Sequence, residues 1–214
     1  MTDSANSETL QAYEARADVY RDTMRPAQTG WFRDFLERIV AGLPPGARVL
    51  EIGSGTGADT RLLAGRGLEL QPSDATRAFV EMMAADGLDA AKLNALTDDL
   101  PDAPGGQWDA VIAFAVFLHF SPDELSGVLA KVRHGIRVGG LLAFTVKEGD
   151  GSGWSEHKLG LPRHFTYWRA GPLRAFLEAR GWQVESLECG QGRTDRWLLV
   201  IARPATAASA IVRE

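Results

Sequence analysis

The chain predicts a doubly wound α/β fold, on three observations. Apolar runs of strand length alternate with amphipathic stretches of helical period along most of its 214 residues. The run Arg48 to Ile52 passes directly into Gly53-Ser54-Gly55-Thr56-Gly57 and then into a stretch that reads as helix, the strand–turn–helix unit that opens such folds. The last two apolar runs are joined by too few residues to hold a crossover helix, so they must lie antiparallel. The expected architecture is a Rossmann-like, mostly parallel seven-stranded sheet with an antiparallel last strand, preceded by N-terminal helices.

Residues 1–7 are polar and expected to fray. Leu10, Tyr13, Ala17 and Tyr20 make one helical stripe between Glu8 and Tyr20, and Trp31, Phe32, Phe35, Leu36, Ile39 and Val40 make a second. Leu43-Pro44-Pro45-Gly46 stops that helix before the first strand. After the glycine turn come a helix at Ala58 to Ala64 and a strand at Gly67 to Gln71. A helix from Ala75 to Ala85 ended by Gly87 and a short strand at Ala91 to Leu93 follow. Thr97 to Gln107, rich in Asp, Pro and Gly, reads as loop, and Trp108 to Phe114 as a strand buried on both faces. Ser121-Pro122-Asp123-Glu124 is a capping box with Pro at the first helical position, opening a helix to about Arg137. Gly139-Gly140 turns it into a strand at Leu141 to Val146. A helix at Pro172 to Arg180 precedes strands near Gln183 to Glu188 and Arg196 to Arg203, with the Gly-rich Cys189 to Asp195 between them. The expected organisation is one domain over 1–204, with N-terminal helices in 1–42, an insert at 148–168 and a flexible tail at 205–214.

Composition narrows the classes. A hydrophobic share of 45% and a charged share of 24% are those of an ordinary globular protein with a full core. No apolar run approaches the roughly 20 residues that span a bilayer, and Met1-Thr2-Asp3 does not start a signal peptide, so a cytoplasmic protein without a membrane partner is expected. The single cysteine, Cys189, fits a reducing compartment. A formal charge of −5 gives no footprint for nucleic acid. No cluster has metal-ligand spacing.

Glu51, two residues before the first glycine, bears on the ligand. A turn that receives a pyrophosphate normally has apolar residues there, because a carboxylate at the strand tip repels phosphate. It suits instead ribose hydroxyls or a cationic ligand, that is, a nucleoside without phosphates such as S-adenosylmethionine. The rival is a nucleotide-dependent oxidoreductase, since Gly53-x-Gly55-x-x-Ala58 with Asp74 about 20 residues on also satisfies the dinucleotide pattern. A noncatalytic cofactor-binding partner protein is a third reading.

Over nearly its whole length the chain resembles the class I S-adenosylmethionine-dependent methyltransferases, particularly small bacterial ones acting on small molecules. The first motif stands as Val49-Leu50-Glu51-Ile52-Gly53-Ser54-Gly55-Thr56-Gly57. The family's ribose-binding acid falls on Asp74, followed by Ala75, and its adenine-contacting Asp-Ala pair on Asn94-Ala95, with Asn in place of Asp. Trp108-Asp109-Ala110-Val111 matches the fourth strand, which ends at Phe114, and Arg137-Val138-Gly139-Gly140 the Lys/Arg-Pro-Gly-Gly turn, with Val replacing Pro. The resemblance implies cofactor contacts from Glu51, Gly53, Ser54, Gly55, Gly57, Asp74, Ala75, Asn94, Ala95 and Phe114. It also implies an N-terminal helical lid, where an aromatic face from Tyr20 suits a sulfonium and Tyr13 faces the acceptor.

The stretch Lys147 to Trp168 leaves the carboxyl end of the fifth strand and is too long for a simple connector. A related group of bacterial methyltransferases carries a similar Lys-x-Gly-Asp-Gly followed by Arg-x-Phe-Thr-x-Tyr/Trp. Glu148, Trp154, Phe165, Tyr167 and Trp168 are therefore expected to wall the acceptor pocket together with Phe117. His119 and His164 are the candidate general bases, because imidazole titrates near neutrality. His157 reads as solvated, and His134 as facing away. The acceptor is expected to be a small molecule methylated on O or N, by a monomer or homodimer. The residues after the fourth strand lack the Asn/Asp-Pro-Pro-Tyr motif of base-amino methyltransferases.

Overall fold

A computed structural model describes residues 5–23 and 30–206. The start of the expected frayed segment and the tail from 207 lie outside the described residues. Seven strands form one sheet, and the apolar runs become its centre. They are β1 (Arg48–Ile52), β2 (Glu69–Asp74), β3 (Ala91–Lys92), β4 (Trp108–Phe114), β5 (Ile136–Lys147), β8 (Trp182–Gln191) and β9 (Arg196–Pro204). A separate two-stranded hairpin, β6 (Ser152–Ser155) with β7 (Arg163–Thr166), interrupts the series. The sheet order is β3-β2-β1-β4-β5-β9-β8. The first five strands pair in parallel, and β9 joins β5 and β8 antiparallel. The final hairpin is as the short connection required.

Continuous apolar strands follow from burial on both faces. On one face Leu50, Ile52, Val111, Ala113, Leu142, Phe144 and Val200 pack with Leu125, Val128 and Leu129 of α6 (Pro122–Gly135) and with Leu173 and Leu177 of α7 (Ala170–Glu178). On the other, Val49, Ala110, Ile112, Ala143 and Ile201 pack with Phe32, Phe35, Leu36 and Ile39 of α3 (Gly30–Ala41) and Leu63 of α4 (Ala58–Ala64). The capping box opens α6: Ser121 Oγ accepts from Glu124 N at 3.3 Å, and Glu124 Oε2 accepts from Ser121 N at 2.8 Å. Asp109 receives Arg48 N at 2.9 Å and Arg137 Nε at 2.5 Å, fastening the amino end of β4.

Several boundaries differ from the sequence reading. The first helix is two, α1 (Ala5–Ala15) and α2 (Ala17–Thr23). The second strand runs on through Pro72 to Asp74, because β3 pairs only with Ser73 and Asp74 and leaves the side of Pro72 open. Its helix, α5 (Arg77–Ala85), starts later to match. β5 already begins at Ile136, paired with Trp108 across a bulge. The insert is no loose excursion: β6 and β7 pair from Ser152↔Thr166 to Ser155↔Arg163, and β7 packs on α1.

Candidate active site

Strands β1 to β4 end along one edge, the position of a ligand crevice in open α/β sheets. A solvent-open cleft, about 660 Å³ with its mouth included, lies there. Ile52, Gly53 and Gly55 line it after β1, Asp74 and Ala75 after β2, Asn94 and Ala95 after β3, and Phe114 and Val116 after β4. Asn6, Thr9, Leu10, Tyr13 and Tyr20 close it from α1 and α2.

The floor is built from backbone. Gly53, Gly55 and Gly57 have φ of 72°, 55° and 74°, a region that glycine adopts freely. A Cβ on Gly53 would stand 2.2 Å from Val116 Cγ2, and one on Gly57 2.5 Å from Leu88 Cδ1, so both positions are closed by neighbouring side chains. A Cβ on Gly55 would point at Tyr20, 3.5 Å from its Cε1, across space that belongs to the cleft. Asp74 holds the turn in place: Oδ2 accepts from Gly55 N at 2.9 Å and Oδ1 from Thr76 N at 2.7 Å. Burial raises its pKa, against the lowering by those two donors. Asn94 Oδ1 accepts from Leu96 N at 3.0 Å, which shapes its turn as well as edging the cleft.

Glu51 sits elsewhere than the strand-tip argument placed it. Its side chain is buried behind the turn, where Thr60 Oγ1 donates to Oε2, and it does not line the cleft. Burial first, and the neighbouring Asp59 second, push its pKa up to about 8. Ser54 and Gly57 also stand outside the lining: Ser54 Oγ bonds Ser73 N at 3.1 Å, and Gly57 caps α4.

The part of the cleft expected to face an acceptor centres on His119, at the end of a single 3-10 turn, Phe117–His119. His119 Nδ1 lies 2.6 Å from the carbonyl of His164 and Nε2 lies 3.0 Å from Tyr13 Oη. A carbonyl only accepts, so Nδ1 carries the hydrogen and the Nε2 lone pair takes the Tyr13 O–H. Arg163 Nη1 donates to the same Tyr13 oxygen at 3.2 Å. His164 N donates to Thr9 Oγ1 at 2.9 Å, tying the insert to the lid helix. Burial drives the His119 pKa down to about 3, opposed by the His164 carbonyl and assisted by Arg163 and Lys147. This imidazole is neutral and a weak base.

The other predicted pocket residues divide. Phe165 is buried beside His119, ring centres 4.8 Å apart. Phe117 is core, packed on Phe120 and Phe144, because the 3-10 turn points it inward rather than at the cleft. Trp168 is core against Phe176, and Tyr167 packs on that cluster. Glu148 pairs with Arg196 at 2.8 Å and Arg169 at 3.7 Å. Trp154 is 49% exposed and edges onto the His164 ring, so that ring lies on the outer face of the hairpin and only its backbone reaches the site. Asn6, Thr9, Leu10, Phe79 and Val116 line the cleft without having been read as site residues from the sequence; the i, i+3, i+7 spacing of Asn6, Thr9 and Tyr13 was the available signal.

Residues 50–142 match the protein family described as a methyltransferase domain, spanning the glycine turn, Asp74, Asn94 and β4. This stretch of the chain, somewhat under half of it, is similar to a methyltransferase domain. Solved structures that share this fold include a DhpI–SAH complex, 24% identical over 94% of this chain and 97% of that one, with a TM-score of 0.73. The 1,6-didemethyltoxoflavin-N1-methyltransferase of Burkholderia thailandensis is 19% identical over 94% and 87%, TM-score 0.70. Magnesium protoporphyrin IX methyltransferase of Synechocystis is 14% identical over 95% and 99%, TM-score 0.72. No curated protein matches in sequence.

Proposed function

We propose that the protein is a methyltransferase, delivering a methyl group from S-adenosylmethionine to an oxygen or nitrogen of a small molecule. The acceptor sits between the lid helices, the 3-10 turn and the insert hairpin. The observation that carries this is the cleft itself: a backbone floor at Gly53 and Gly55, a buried acid at Asp74 and an aromatic cover from Tyr13 and Tyr20, all at the carboxyl edge of the sheet. The residues fit a nucleoside. Asp74 has lone pairs beyond those given to Gly55 N and Thr76 N, able to accept ribose hydroxyls. Ala75, Asn94, Ala95 and Phe114 form the adjoining wall, and the open side of Gly55 leaves room for ligand against backbone.

When bound, the cofactor supplies an electrophilic methyl carbon on a sulfonium, with a neutral thioether as leaving group. The chain's own work is then alignment and exclusion of water. Holding two reactants in line is worth effective molarities of about 10⁵–10⁸ M. Tyr20 lies over Gly55, Phe79 packs at 5.1 Å from the Tyr20 ring, and the Tyr13 ring edges onto Tyr20 at 5.6 Å, so the cover is one aromatic unit. The small acceptors named for two structural relatives, 1,6-didemethyltoxoflavin and magnesium protoporphyrin IX, support the small-molecule reading. Calorimetric titration of S-adenosylhomocysteine against NAD tests the cofactor: micromolar binding of the first and none of the second is expected. Label transfer to a metabolite mixture tests the acceptor class, and labelled protein or nucleic acid without labelled small product would refute it.

A further inference from the structure

Hydrogen bonds at its two ends fix the direction in which α1 crosses the mouth of the cleft. Near its carboxyl end the Glu14 carboxylate accepts from Arg77 N at 2.8 Å and Ala78 N at 3.1 Å, capping α5 just after β2. Thr76, at the N-cap of α5, makes no side-chain cap bond of its own. Five residues earlier, Thr9 accepts from His164 N of β7, in the insert that follows β5. With the sheet order β3-β2-β1-β4-β5, α1 runs from the Asp74 side of the cleft towards the insert. Asn6 lies one turn beyond Thr9, about 12 Å from Glu14 at 1.5 Å per residue, at the insert end. It is 6% exposed and lines the cleft, yet its amide has no hydrogen-bond partner among the described residues. The other polar groups on that helix face are engaged. Thr9 Oγ1 donates to Ala5 O at 2.8 Å and accepts from His164 N, while Tyr13 Oη donates to His119 and accepts from Arg163. Buried polar side chains are normally paired, so an idle amide facing a cleft calls for a partner from outside the chain.

An asparagine amide presents N–H donors beside a carbonyl acceptor. A molecule that fills the cleft takes water away from both, and must pair both or leave one stranded. Resting on the reading of the cleft as a methyltransferase site, we propose that Asn6 is a specificity-determining residue for the methyl acceptor. The group it reads is an uncharged carboxamide-type edge, an N–H donor beside a carbonyl. Two N–H···O bonds running in opposite directions close the pair. A hydrocarbon, an ether or a ketone of the same shape leaves the Asn6 donors or its carbonyl bare and is bound less well. The pair orients the acceptor and takes no part in bond making, so it asks nothing of His119, whose two nitrogens are already committed.

The test titrates benzamide and acetophenone, which share a shape and differ in the N–H donors, into protein saturated with S-adenosylhomocysteine, followed by ligand-observed NMR. Benzamide should bind at least about tenfold more tightly, since a site built to pair a polar group rejects the analogue that lacks it. Asn6→Leu keeps the shape without the polar atoms and should erase that preference. It should also leave S-adenosylhomocysteine affinity within about twofold of wild type in calorimetry, and the urea midpoint unchanged or raised. A structural asparagine would do the reverse, lowering the midpoint and leaving the ratio of affinities unmoved. Should Asn6→Leu fail to fold, Asn6→Ala carries the same expectations for the ratio and for the cofactor. Equal binding of the two probes, binding of neither, or a preference that survives in the variant overturns the inference. So does a cofactor affinity that falls more than twofold in the variant, which would assign the amide to the cofactor. Failure of S-adenosylhomocysteine to bind the wild type removes the methyltransferase reading as well, while its binding without a benzamide preference removes this inference alone.

Discussion

Alanine placed one at a time at Gly55, Gly57 and Gly67 separates a glycine kept for ligand from one kept for packing. All three have positive φ, at 55°, 74° and 79°, so each substitution carries a shared backbone cost of about 1–2 kcal/mol. At Gly67 nothing lies within 4 Å of the new methyl, and that cost is the whole effect. At Gly57 the methyl meets Leu88 Cδ1 at 2.5 Å and Met83 Cγ at 3.1 Å, adding about 1–3 kcal/mol of overpacking. At Gly55 the nearest atom is Tyr20 Cε1 at an ordinary 3.5 Å, so stability should fall no further than at Gly67. Binding reverses the order. The Gly55 methyl occupies the cleft, and S-adenosylhomocysteine affinity should drop at least tenfold, about 1.4 kcal/mol, against at most about twofold for Gly67→Ala. Urea titrations give the stabilities and calorimetry the affinities. A Gly55→Ala protein that binds as wild type does, or a Gly57→Ala protein no less stable than Gly67→Ala, would refute the reasoning.

Three other outcomes are expected. Asp74→Asn leaves one acceptor oxygen for the two donors Gly55 N and Thr76 N and sets an amide NH2 against the other, and should weaken S-adenosylhomocysteine binding by about 1.5–3 kcal/mol in calorimetry, with the far-ultraviolet dichroism unchanged. Tyr13→Phe strands the Nε2 lone pair of His119 and an Arg163 hydrogen, and should cost about 1–3 kcal/mol in urea unfolding; a neutral result would mean that water replaces the phenol. Glu51 carries a folded pKa of about 8 against an ordinary 4.5, so the folded state holds more protons than the unfolded one between those values. By linkage its contribution is full below pH 4.5 and is lost as pH rises towards 8. The melting temperature of wild type should therefore fall relative to Glu51→Gln from pH 5 to pH 8, and parallel curves would show that the carboxyl is already ionised.

The strands were readable where the sheet is covered on both faces, because β1, β4 and β5 then need unbroken apolar runs. They were misread where polar residues serve the ladder. β2 runs on past Gln71 through Pro72 and Ser73, which look like a turn but sit opposite Glu51 and Ile52. β8 continues through Gly190, whose lack of a side chain makes room for Trp31: a Cβ there would lie 2.6 Å from the indole. Trp31 Nε1 in turn donates to Gln191 O at 2.7 Å, so the glycine marks a close approach and not a loop.

That Gly53, Gly55, Asp74 and Asn94 meet at one cleft was equally open to reading, since strand ends and turn residues are local features and bring their own geometry. Glu51 shows the limit of that logic: position along the strand put it at the tip, while strand alternation turned its side chain to the Thr60 side. The surroundings of His119 could not be read locally at all. His119 was chosen for its ordinary pKa, but its chemistry is set by a carbonyl 45 residues away and a phenol 106 residues away in sequence. Those partners convert a candidate base into a neutral acceptor of the Tyr13 hydrogen. Arg163, which the sequence showed only as one residue of the insert, is buried beside the same phenol. That burial arises only because β7 folds back onto α1, setting a cation against Tyr13 with one nitrogen still unpaired.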